Sequence, residues 1–111
     1  MTRERRVTSE DFYFLYLPLS AYWFDLIATG KKKIEFRECK DYWTKRIRKA
    51  QFSNKPIKIV FTRGYTKRKL IADVTAISVI YGINTDLHIN KNVYAIAFEN
   101  VCVLHKKKEG I

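Results

Sequence analysis

Residues 30–37, "GKKKIEFR", bring Lys32, Glu35 and Arg37 close together along the chain. An ammonium and a guanidinium beside one carboxylate suit a phosphate. Arg37 offers a two-pronged fork, and Glu35 an acceptor for a base amino group or a ribose hydroxyl. The same set permits hydrolysis, with Glu35 as general base toward water and Lys32 stabilising a developing oxyanion. A plainer account also exists: residues two apart on a strand share a face about 7 Å apart, and an exposed pair of that kind is worth roughly 0 to 1 kcal/mol. Lys32, just after a glycine, shifts the balance, because two cations on one carboxylate leave surplus positive charge for an anion.

The surrounding elements must place these groups. "FYFLYLPL" is apolar, ends at Pro18 and reads as a buried first strand. Ser20 is a helix cap, and Trp23, Leu26 and Ile27 form an i, i+3, i+4 stripe over 21–29. Gly30 stands where a left-handed C-terminal cap belongs. After it the alternation predicts a strand with Ile34 and Phe36 facing the core and Lys33, Glu35 and Arg37 facing out. "DYWTKRIRK" predicts one or two helical turns on the surface, with Trp43 and Ile47 on one side. Strands follow at Ile57 to Phe61, Leu70 to Tyr81 and from Val93 onward, the last with Tyr94, Ile96 and Phe98 on one face. "YGINTDLHINKN" between the last two is a loop.

Two further groups suit nucleic acid. Tyr42 and Trp43, beside Lys40, Arg46 and Arg48, pair aromatic planes with cations, as stacked unpaired bases require; helical spacing from Ile47 equally suits Trp43 to the core. "TRGYTKRK" reads as a basic hairpin tip, where Arg63, Tyr65, Lys67, Arg68 and Lys69 suit backbone contacts. Cys39 and Cys102 lack the number and spacing for a disulfide framework or zinc and are expected to be buried free thiols. His88 and His105 fall in loop and tail, so neither a metal nor another cofactor is expected.

Composition narrows the partner. Twenty-two Lys and Arg against 11 acidic residues give a net charge of +11, which favours nucleic acid first, an anionic membrane second and acidic proteins third. No run has the roughly 20 apolar residues of a spanning helix, and the polar, basic start lacks the centre of a signal peptide. A cytoplasmic protein, monomeric by default, is expected. Hydrophobic residues at 47% allow one real core within 111 residues. The domain is expected over 12–104, between a flexible basic start (1–11) and a basic tail (105–111).

Gly30, Lys32, Glu35 and Arg37 fit G-x-K-x-x-E-x-R directly after "FDLIATG", and "LIADVTAISVI" follows as a later strand. In these features the chain resembles the ASCH (activating signal cointegrator homology) domain family, small barrels related in fold to the RNA-binding PUA domains. The resemblance implies an α+β fold: a small, mostly antiparallel PUA-like β-barrel with one or two packed helices. It also implies binding of RNA or a modified nucleotide in a cleft at the motif. The alternative is a small metal-independent hydrolase, a ribonuclease or acylcytidine amidohydrolase, using Lys32 and Glu35. In the family's hydrolytic branch a threonine stands where this chain has Glu35, and a carboxylate cannot form the ordinary acyl ester in its place. A third catalytic carboxylate would be Asp73 or Glu99, a choice left open by the residues.

Overall fold

The structure is a computed structural model that describes residues 9–104. The expected flexible start and basic tail, His105 included, fall wholly or mostly outside the described residues. The order of elements is β1 (Tyr13–Leu19), α1 (Ala21–Ala28), β2 (Ile34–Glu38), α2 (Asp41–Phe52), β3 (Ile57–Arg63), β4 (Lys69–Tyr81) and β5 (Asn92–Val103). The strands form one sheet in the order β1-β3-β4-β5-β2. This is an α+β half-barrel, and its sheet is mixed. β1 lies parallel to β3, with Tyr13 opposite Ile57 and Leu19 opposite Arg63. A parallel neighbour needs a long crossover, and here that crossover carries both helices and β2.

β1 and β2 lie at opposite edges of the sheet, yet the sheet curls enough for Arg37 of β2 to donate a 3.0 Å hydrogen bond to the carbonyl of Pro18 in β1. The curl is helped by two register shifts between β4 and β5, at Ile71/Asp73 and Val74/Ala76, since bulges increase local twist and bend. β1 is therefore an edge strand and only half buried, not a buried one: Leu15, Leu17 and Leu19 face the core while Tyr16 and Pro18 are exposed. Pro18, with no N–H to give a ladder, is tolerated there for that reason.

Aliphatic and aromatic residues from β1, α1, α2, β3, β4 and β5 fill the concave side, among them Leu17, Phe24, Ile47, Ile59, Phe61 and Ile96. Phe61 and Phe98 meet edge-on at 5.1 Å. Each such side chain contributes roughly 1.5 to 3 kcal/mol by leaving water. In α1 the buried residues are Phe24 and Ile27, so the apolar stripe is rotated from the expected one and leaves Trp23 half-buried at its margin. α2 has three turns, not one or two, because Ala50 extends the buried stripe one turn beyond Ile47. Ser20 occupies the N-cap position of α1 without a side-chain capping bond. Gly30 adopts φ +79°, and the amides of Lys31 and Lys32 close on the carbonyl of Leu26. That left-handed turn carries the chain into β2.

Cys39 and Cys102 are both exposed, against the expectation of burial, because Cys39 lies just past the end of the edge strand β2 and Cys102 lies near the end of β5. No helix among the described residues is long and apolar enough to cross a membrane.

Candidate functional site between the two edges of the sheet

Where β1 and β2 approach each other the sheet leaves a cleft of about 490 Å³, within the range of ligand sites. Its lining comes from the end of β1, the start of α1, β2, the start of α2 and the segment 86–89. Lys32, Glu35 and Arg37 all line it, so the turn at Gly30 does bring the three groups to one place. The facing of Glu35 and Ile34 is the reverse of the expected one. Glu35 is only 5% exposed and Lys32 8%, while Ile34 stands 41% exposed. Alternation divides a strand into two faces without saying which is inside. At this edge the inner face holds a bonded charge network rather than apolar side chains.

The network is dense. Glu35 accepts from Phe36 N–H at 3.1 Å and from Arg37 Nη2 at 2.9 Å, with the Lys32 ammonium 3.4 Å away. Lys32 is also paired with Asp86, on the segment between β4 and β5. Arg37 Nη2 spans Glu35 and the Pro18 carbonyl, whereas Arg37 Nε is buried with no partner among the described residues. Two tryptophans form walls: Lys32 Nζ lies 4.6 Å from the centre of the Trp23 ring, and Arg37 Cζ 4.9 Å from that of Trp43. Trp43 both packs on the core and lines the cleft.

The expected surplus of positive charge is absent. Lys32, Arg37 and Lys40 face Glu35, Glu38 and Asp86, three cations against three carboxylates among the lining residues. Asp86 and Trp23 escaped the sequence reading. The signal for Trp23 was its place on the helix about two turns before Gly30, which opens the motif; Asp86, far along the chain, carried none. Asp73 and Glu99 are not in the cleft. Asp73 pairs with Lys58 at 2.6 Å and accepts from Asn100, which hold its carboxyl below the usual range, and Glu99 lies opposite it in register.

At the rim, Lys40 pairs with Glu38, whose carboxyl is held below its ordinary value by bonds from Lys91 and then Lys40. Tyr42 is exposed, and the Arg46 guanidinium stacks on its ring at 4.0 Å; neither lines the cleft. Arg63, Tyr65, Lys67 and Arg68 sit on the β3–β4 hairpin, apart from the cleft lining. Arg63 is engaged with Asp25 of α1, and Arg68 lies 5.6 Å from the Phe24 ring; Tyr65 is fully exposed. Among the described residues no group of three or more His, Cys, Asp or Glu is placed to hold a metal ion.

No protein-family model matches the chain, and no curated protein matches it. Among solved structures, the chain is similar in fold to the YTH domain of the Zygosaccharomyces rouxii MRB1 protein, solved in complex with N6-methyladenosine RNA. The TM-score is 0.55 at 14% identity, over 95% of this chain and 69% of that one. The likeness is one of fold.

Proposed function

We propose that this protein binds single-stranded RNA, or a modified nucleotide, by seating one base in the cleft between β1 and β2. The observation that carries the reading is the placement of Lys32 and Glu35, both nearly buried, at the floor of an open cleft with Trp23 and Trp43 in its walls. Buried polar groups are costly unless they are bonded, and a cleft that keeps donors and acceptors between aromatic planes fits a flat, hydrogen-bonding ring. The YTH domain with which the chain shares its fold binds N6-methyladenosine RNA, which supports RNA as the ligand class. Lys32, Glu35 and Arg37, which meet at the cleft after the turn at Gly30, support the finer reading as an ASCH-like, PUA-related domain.

Binding without chemistry is favoured over hydrolysis. Glu35 already receives Phe36 N–H, Arg37 and Lys32, so most of the roughly four acceptor positions of a carboxylate are taken, and a general base needs a free one.

The test removes a cation and an anion together, so that the net charge of the lining is unchanged. Lys32→Met with Glu35→Gln is expected to weaken binding of a mixed-sequence single-stranded RNA at least about tenfold, or 1.4 kcal/mol, while the protein stays folded by circular dichroism. Unchanged affinity in the folded variant would reject the cleft as the site.

A further inference from the structure

A molecule of net charge +11 keeps a cleft whose charged lining is balanced. The balance depends on Asp86. Lys32 and Arg37 lie against Glu35, which neutralises one of them, while Glu38 and Lys40 pair with each other at the rim. Without Asp86 the floor would carry one uncompensated ammonium, 8% exposed beside the Trp23 ring, and would attract the nearest phosphate. Asp86 reaches that ammonium from the segment between β4 and β5, which also contributes Leu87 and Ile89 to the lining.

We infer that Asp86 is the specificity-determining residue of the cleft: its carboxylate already fills the anion position on Lys32, so the floor accepts an uncharged planar ring and turns phosphate away to the rim. This inference rests on the reading of the cleft as a base site and adds the charge class of the group that enters it. Trp23 and Trp43 supply apolar walls that suit a ring and give little to a hydrated phosphate. A cationic molecule that binds a polyanion gains from such a filter. Phosphate attracted by the whole field is kept from occupying the floor in place of a base.

The test uses the full chain, with inorganic phosphate and a mixed-sequence single-stranded RNA hexamer as probes, read by tryptophan fluorescence and calorimetry. Asp86→Asn keeps the size and shape of the side chain and removes its charge. It is expected to raise affinity for inorganic phosphate at least about tenfold over the unmodified protein, equivalent to 1.4 kcal/mol. Adding Lys32→Met to that variant should abolish the gain, and Asp86→Glu, which keeps the charge, should show none. A folded Asp86→Asn protein whose phosphate affinity is unchanged, or one whose gain survives removal of the Lys32 ammonium, overturns the inference. The RNA probe separates the two readings. Loss of RNA binding in Lys32→Met with Glu35→Gln, together with no phosphate gain in Asp86→Asn, leaves the base site standing and removes the filter. A phosphate gain in a protein that binds no RNA keeps the neutral floor and removes the base site.

Discussion

Arg37 does two jobs with one nitrogen. Its Nη2 bonds the Glu35 carboxylate on its own strand and the Pro18 carbonyl on the far edge of the sheet, while its guanidinium lies over Trp43. A lysine at this position keeps the charge but not the planar fork, so it cannot stack and bridge at once. Arg37→Lys is expected to lower stability by about 1.5 to 3 kcal/mol, the range for hydrogen bonds to charged groups, in urea unfolding followed by far-ultraviolet circular dichroism. A loss below about 0.5 kcal/mol would mean that the two edges are held together by other contacts. The motif residues were legible in the sequence because Gly30, Lys32, Glu35 and Arg37 lie within one turn and one strand. Asp86 was not, because its tie to Lys32 crosses 54 positions and nothing in "YGINTDLHINKN" marks its carboxylate for that pairing. The outward facing assigned to Glu35 failed for a related reason. The rule that apolar faces turn inward assumes an apolar neighbour, and at this edge the neighbour is a buried ammonium.

At the level of elements, Asp73 shows how the sheet is tied across three strands. It lies on β4, pairs with Lys58 of β3 and accepts from Asn100 of β5, beside the register shift that lets the long β4–β5 hairpin bend. The bond from Lys58 first, and that from Asn100 second, lower its pKa in the folded protein. A carboxyl with a depressed folded pKa contributes stability that is present above its ordinary value, about 3.9, and is lost as pH falls through the lower folded value. Asp73→Asn should therefore be less stable than the unmodified protein near pH 7, with the difference shrinking below about pH 4. A difference that is constant with pH would assign the effect to shape rather than charge. The five strands and both helices could be read from periodicity and from punctuation at Gly30 and Gly64. The parallel pairing of β1 with β3 could not, since alternation reports faces and not neighbours. α2 was read short because its exposed Lys and Arg hide the spacing from Trp43 through Ile47 to Ala50.

For the whole molecule, charge is divided by place: the floor is balanced, and the excess that makes +11 lies elsewhere on the chain, including Arg46 on α2 and Lys67 and Arg68 on the hairpin tip. Affinity for a polyanion then depends on salt through those outer cations and not through the floor. Each phosphate neutralised on a single strand contributes about −0.7 to the slope of log affinity against log salt, so about five contacts give a slope near −3.5. Lys67→Ala with Arg68→Ala should bring that to about −2, at the cost of two contacts, and should weaken all sequences alike. Lys32→Met with Glu35→Gln should lower affinity and leave the slope where it was, because the floor holds a ring and exchanges no counterion. Arg63, already engaged with Asp25 on α1, should add less to the slope than its neighbours on the tip. A slope unmoved by the tip substitutions would route the strand away from the hairpin. A slope that falls with the floor substitutions would put a phosphate where the balanced lining leaves room only for an uncharged ring.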